Sequence, residues 1–278
     1  MKKVLLLCMA ICLLSLGCEK EGVYNPNKKI KKISVGIDKR LREEWTWDKN
    51  LLQKIDYYFG GDEVWYTENF KYDNKNRIIR VEDTEYGDYY IISYNKDGYE
   101  KIEYYDEDIL YMSAGFQYEK KKVSRIDVTY YDDYDDYKFI KNDGFITKII
   151  SKEILNSVNE SKKKSRAKGN YAATVKFKFT GDNVSEMEVM DDYDTYNITY
   201  ENYDKNLNPF YSFLNNVVDF EDGAGLHGLS KNNVGKVIYI WGDDWPNDTV
   251  EYKYTYDGKY PIQIQISDTK YLVHYEYY

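Results

Sequence analysis

Phe70-Lys71-Tyr72-Asp73-Asn74-Lys75-Asn76, running on into Arg77-Ile78-Ile79-Arg80-Val81, decides the fold. Aromatic and polar residues alternate up to Tyr72, a short Asp, Asn and Lys run turns the chain, and β-branched residues follow. Successive side chains of a strand point to opposite faces, so this is a hairpin with one apolar face. Asp, Asn and Gly in the turn tolerate the positive φ that tight hairpins need. The same form recurs around Trp45-Thr46-Trp47-Asp48, Ile92-Ser93-Tyr94-Asn95, Phe116-Gln117-Tyr118-Glu119, Lys138-Phe139-Ile140-Lys141, Phe177-Lys178-Phe179-Thr180 and Tyr254-Thr255-Tyr256-Asp257. The residue before the turn falls at 47, 72, 94, 118 and 140, giving spacings of 25, 22, 24 and 22. The next, at 179, comes after 39 residues that include the polar stretch 156–170. Each regular interval holds two strands of about seven to nine residues and two turns.

Elsewhere the alternation is equally clean. Val250, Tyr252, Tyr254 and Tyr256 oppose Glu251, Lys253 and Thr255, and Val175, Phe177 and Phe179 oppose Thr174, Lys176 and Lys178. Such strands are apolar on one side only, as in antiparallel sheets with one wet face. The expected fold is therefore all-β: one antiparallel meander of about sixteen strands, curled into a barrel or half-barrel. A longer insertion is expected near 203–236, with at most a short helix at 208–218. With 17% aromatics, 33 tyrosines and only four prolines, the chain is not a disordered one. A net charge of −9 lacks the basic footprint of a nucleic-acid binder.

The first residues read as an address. Met1-Lys2-Lys3, an apolar run at 4–14 and Ser15-Leu16-Gly17-Cys18 form a secretory signal whose apolar run is too short to span a bilayer. Leu14-Ser15-Leu16-Gly17-Cys18 resembles the bacterial lipobox, with Cys18 the residue that is acylated after cleavage. Removing 17 of the 278 residues, Lys2 and Lys3 among them, leaves 261 and takes the charge from −9 to −11. Cys8 and Cys12 leave with the signal, so Cys18 is the one remaining thiol, and acylation disposes of it. Residues 18–29 then form a tether, and 30–278 a single domain. The membrane is expected as a partner through this anchor.

The hairpins resemble YD repeats, named for their Tyr-Asp turns. The whole mature chain resembles a family of Bacteroides-type lipoproteins of unknown function with a porin-like β fold. That likeness rests on the hairpins, on Ile198-Thr199-Tyr200-Glu201-Asn202-Tyr203-Asp204-Lys205-Asn206-Leu207-Asn208-Pro209-Phe210 and on Leu229-Ser230-Lys231-Asn232-Asn233. It implies a porin-like barrel or half-barrel and outer-membrane anchoring, on the surface or the periplasmic side. It brings no activity. A membrane-crossing barrel is not expected, because a lipid-facing strand needs ~9–11 residues without charge on that side, and His274 and Glu276 interrupt the set that ends at Tyr278.

Chemistry is sparse. The chain has two histidines, His227 and His274, too few for a zinc or iron centre built on several Cys or His ligands, and no metal or cofactor is expected. Asp204-Lys205-Asn206-Leu207-Asn208 starts like a calcium loop but has Pro209 at the Gly position and Asn215 at the bidentate Glu position. Gly223-Ala224-Gly225-Leu226-His227-Gly228 matches a dinucleotide fingerprint without the helix that should follow. Gly228-Leu229-Ser230 begins a nucleophile elbow but meets Asn232 where Gly belongs. Asp132-Asp133-Tyr134-Asp135-Asp136 and Asp191-Asp192-Tyr193-Asp194 read as hairpin tips, and Lys162-Lys163-Lys164-Ser165-Arg166-Ala167-Lys168 as a solvated insertion.

The candidate ligand site is Trp241-Gly242-Asp243-Asp244-Trp245. Two indoles bracket two carboxylates, a composition suited to a glycan, whose C–H faces stack on rings while carboxylates accept its hydroxyl protons. Trp241, Asp243, Asp244 and Trp245 are the expected contacts. No catalytic residue is assigned. The expected function is a non-catalytic envelope lipoprotein binding a glycan or another envelope component. The alternatives are a carbohydrate-active hydrolase using Asp or Glu, and a protein-binding scaffold or adhesion subunit.

Overall fold

The computed structural model describes residues 23–59, 62–85, 87–106, 108–131, 171–191, 195–213, 228–241, 246–267 and 271–278. The signal segment, Cys18, the hairpin around Ile140, the basic run at 162–168, the acidic tip at 132–136, His227 and most of the Gly-rich motif lie outside the described residues. Sixteen strands follow one another: β1 Ile30–Val35, β2 Arg40–Asp48, β3 Leu51–Tyr58, β4 Val64–Tyr72, β5 Ile78–Asp83, β6 Tyr89–Tyr94, β7 Tyr99–Asp106 and β8 Ile109–Glu119. They continue with β9 Lys122–Tyr130, β10 Tyr171–Thr180, β11 Asn183–Asp191, β12 Thr195–Glu201, β13 Lys236–Ile240, β14 Asp248–Asp257, β15 Tyr260–Ile266 and β16 Leu272–Tyr277.

Every strand pairs antiparallel with its sequence neighbours, and β16 returns to β1 through Ile30↔Tyr277, Lys32↔Glu276 and Ile33↔Tyr275. The meander is a closed barrel, not a half-barrel. Closure satisfies the backbone groups that two free edges would leave open to other chains.

Polarity is apolar inside and charged outside. Leu52, Ile55, Ile102, Met112, Ala114, Ile126, Val175, Met187, Val189 and Ile198 are fully buried, so the wall from β3 to β12 carries a dry packed core. On the outer face, charges pair across strands: Lys71 with Glu82 at 2.7 Å, Lys176 with Glu188 at 2.9 Å, Lys178 with Glu186 at 2.7 Å and Lys31 with Glu276 at 2.6 Å. Each exposed pair stabilises the fold little. At these positions the outer face carries charge, where a membrane barrel presents an apolar band to lipid. Glu276, which interrupts the apolar set in the sequence, is one of these outward charges.

The barrel's two ends differ. One carries the described N-terminus, Tyr278 and the connections after even-numbered strands. Here five aromatic side chains near the strand ends fold inward and tie their polar tips to carbonyls 16 to 20 residues earlier. Tyr72 donates to Leu52 O, Tyr94 to Ile78 O, Tyr254 to Val234 O and Tyr277 to Pro261 O, and the Trp47 indole donates to Ile30 O. Each of these tips reaches the strand immediately before its own or the residues leading into it, which stitches neighbouring hairpins of this end together.

The same end is sealed by the connection between β12 and β13, whose described parts are 202–213 and 228–235. Tyr24 donates to Pro209 O, Lys231 N to Asp182 O and Leu207 N to Lys259 O, which carries the segment across the mouth. Phe213 lies 4.4 Å from the Tyr24 ring, 5.3 Å from Trp45 and 6.0 Å from Phe70. Asp204 organises the crossing: Oδ1 accepts from Asn206 N and Asn233 N, and Oδ2 accepts from the Tyr256 hydroxyl. The calcium-like pattern thus serves a loop of hydrogen bonds. Ser230 is buried, its Oγ accepting from Val184 N and bonded to Tyr203 Oη at 3.0 Å, which is structural work. Gly228 is required by close approach, since a Cβ there would sit 2.2 Å from Phe213 O. The described part of the expected helix, 208–213, is instead a pair of tight turns, with Ser212 at φ 68.

Candidate functional site

The opposite rim holds the connections after odd-numbered strands, and it is where apolar side chains meet water. Ile37, Phe59, Val64, Trp65, Ile109 and Tyr131 are all exposed there. Rings contact one another along the inner side of this rim, with Tyr57 stacked on Tyr66 at 4.3 Å, Tyr90 tilted against Tyr104 at 5.0 Å, and Tyr104 edge-on to Tyr111 at 5.7 Å. Alternation accounts for it: the strand positions that supply the core deeper in the barrel supply tyrosines near its mouth.

Within this rim β4 to β7 enclose a pocket of about 240 Å³, lined by Trp65, Tyr66, Glu68, Val81, Asp83, Asp88, Tyr90 and Tyr104. Register assembles it. Glu68 on β4 stands opposite Asp83 on β5, Val81 opposite Tyr90 on β6, and Tyr90 opposite Tyr104 on β7. Trp65 is 49% exposed, edge-on to Tyr66 at 5.1 Å and 5.4 Å from the still more exposed Phe59.

The three carboxyl groups are held differently. Glu68 is 6% exposed and its Oε2 accepts from the Tyr57 hydroxyl at 2.8 Å. Burial, with Glu68 and Glu43 nearby, holds the Tyr57 phenol well above its ordinary pKa, so it stays a donor. Asp83 Oδ1 accepts from Glu85 N, folding the β5–β6 turn. Asp88 Oδ2 accepts from the Tyr104 hydroxyl at 2.6 Å, while its Oδ1 is buried with no hydrogen-bond partner among the described residues. An acceptor left so costs free energy on the order of 1–3 kcal/mol, a cost that a donor reaching it from the pocket Asp88 lines would relieve. Among the described residues no three His, Cys, Asp or Glu side chains converge as a metal site.

Glu43 lies outside this pocket's lining. Its Oε2 accepts from the Trp45 indole at 2.7 Å, and desolvation raises its pKa from 4.5 to about 7 against that bond. Solvent reaches part of its surface, and Arg42, Tyr24, Tyr57 and Tyr275 are near enough to interact with its charge.

Of the residues expected to bind a ligand, Trp241 lies on the same rim. Its indole is half-buried, stacked on Tyr239 at 5.6 Å, 5.0 Å from Tyr196, and donates to Asp248 Oδ2 at 3.2 Å. Asp243, Asp244 and Trp245 lie outside the described residues. The Trp65 pocket was not anticipated from the sequence. Its one local signal is the pair Trp65-Tyr66, two adjacent aromatics just after Gly60-Gly61-Asp62, which breaks the alternation and sends one ring to the edge.

No family model matches the chain, and no curated protein matches it. A porin-like protein from Bacteroides vulgatus aligns at 12% identity over 90% of this chain and 99% of its own, with a TM-score of 0.28. The barrel is similar to a porin-like protein from Bacteroides uniformis at a TM-score of 0.51 and 12% identity, over 90% of this chain and 98% of that one. What this likeness shows is the fold, an all-β antiparallel closed barrel of porin-like form.

Proposed function

We propose that this protein is an exported envelope lipoprotein, anchored through acylated Cys18, whose barrel binds a glycan without transforming it. Binding is assigned to the rim opposite the described N-terminus: the tether at 18–29 leads to the sealed end, so the pocket faces away from the membrane. The observation that carries the reading is the half-exposed Trp65 indole beside a pocket lined by carboxyl groups, among them Asp88, whose Oδ1 has no hydrogen-bond partner among the described residues. A flat ring covers the C–H face of a sugar, and fixed acceptors take its hydroxyl protons. At about 240 Å³ the pocket is smaller than the ~300–1,000 Å³ typical of small-molecule sites, a size for one sugar unit of a longer chain. Trp241, Asp243, Asp244 and Trp245 form the second proposed contact, of which Trp241 lies at the same rim. Binding is favoured over hydrolysis because, among the described residues, the carboxyl with the raised pKa, Glu43, is engaged by Trp45 and does not line the pocket.

A glycan-array screen of the domain at 23–278 tests this. Retained glycans that are lost in Trp65→Ala, with the melting temperature unchanged, support the reading. An array with no retained glycan overturns it.

A further inference from the structure

The charge of the pocket's lining is one-sided. Four aromatic rings, Trp65, Tyr66, Tyr90 and Tyr104, stand among three carboxyl groups, and among the described residues the lining contains no Lys, Arg or His, so the donors it holds are the neutral phenols and the Trp65 indole. The Tyr104 hydroxyl is already spent on Asp88 Oδ2. The unmet atom, Asp88 Oδ1, is an acceptor. A group with several donors, a positive charge and a compact apolar frame matches all of this. An ammonium brings three N–H donors, relieves the buried carboxylate oxygen and is drawn to the faces of the rings.

We propose that the pocket recognises a protonated amino sugar, held by its ammonium against Asp88 and by its ring against Trp65. This rests on the glycan reading above and narrows it. A lysine-type amine shares the ammonium, but the sugar is favoured by the broad exposed surface of Trp65 and Phe59 beside the pocket, which suits a flat ring better than a flexible chain. Anionic sugars are excluded by the carboxyl groups.

The test is a titration followed by tryptophan fluorescence and saturation-transfer NMR, with glucosamine, glucose, N-acetylglucosamine and an Nα-acetyl-lysine amide as probes. Glucosamine is expected to bind roughly tenfold more tightly than either neutral sugar. That preference is expected to vanish in Asp88→Asn, whose melting temperature stays within about 2 °C of the parent, and to vanish in the parent once the pH exceeds the sugar amine's own pKa. Trp65→Ala loses all the sugars together. Equal affinity for the three sugars overturns the ammonium assignment and leaves the glycan site standing. A lysine amide that binds as well as glucosamine overturns the sugar in favour of a peptide amine. Silence from every probe, with a silent array, overturns both readings.

Discussion

The sealed end and the open rim are built from the same residue types on the same sixteen strands, yet they spend them differently. At the sealed end every named tyrosine tip is occupied: Tyr72, Tyr94, Tyr254 and Tyr277 close onto carbonyls, and Tyr24 onto the crossing segment. At the rim, Trp65 and Phe59 remain in water, and Asp88 Oδ1 lacks a partner among the described residues. An aromatic residue adds stability where its ring is buried and its tip satisfied, and it remains available for recognition where neither condition holds. The barrel separates the two roles by some six residues along a strand.

The comparison is broken most forcefully at Trp45, which is 1% exposed and packed on Tyr24, Phe210 and Phe213. Trp45→Ala is expected to cost roughly 3–5 kcal/mol and to lower the melting temperature by about 10 °C, read by calorimetry. A loss below about 1 kcal/mol would show that the crossing segment is not seated on the barrel.

Glu43 gives the next effect, through pH. Its folded pKa is raised from 4.5 to about 7, so the folded state keeps a proton that the unfolded chain releases. Its contribution is fully present below about pH 4.5, falls as pH rises to about 7, and is level above that. Glu43→Gln keeps an acceptor for Trp45 and removes the titration. At pH 8 it is expected to be more stable than the parent by on the order of 2 kcal/mol, allowing for the solvent that reaches the group, and to match it at pH 4. Denaturant melts at the two pH values measure this, and a parallel pair of curves contradicts it.

Tyr94→Phe removes one stitch. The ring stays, under the Arg77 guanidinium at 4.2 Å, and the bond to Ile78 O goes. The expected loss is about 1 kcal/mol, with faster amide exchange confined to β5 and β6.

These residues also show how far the sequence could be read. The hairpins were legible because alternation and turn chemistry are local, and the register 47, 72, 94, 118 lay open to inspection. Closure was not, since Ile30 and Tyr277 meet across nearly the whole chain and nothing local distinguishes a barrel from a half-barrel. Nor was the pocket. Glu68 and Asp83 meet through the register of β4 and β5, and Asp88 joins them from the connection just before β6, whereas the motif that did stand out, around Trp241, places its first indole flat on Tyr239. The export signal and Cys18 rest on the sequence. Cys18→Ala is expected to release the protein from membrane fractions, and retention through detergent and high salt would contradict the anchor.

Trp65→Ala has the smallest effect on the fold, within ~0.5 kcal/mol, and the largest on binding. One measurement sets the two ends side by side: ¹⁹F NMR of the protein labelled with fluorotryptophan, titrated with glucosamine. Trp45 and Trp47 report the sealed end and Trp65 the open rim. The account predicts that the Trp65 resonance moves with saturation while those of Trp45 and Trp47 stay fixed. Movement of Trp45 or Trp47, or a fixed Trp65 resonance at saturating probe, would contradict it.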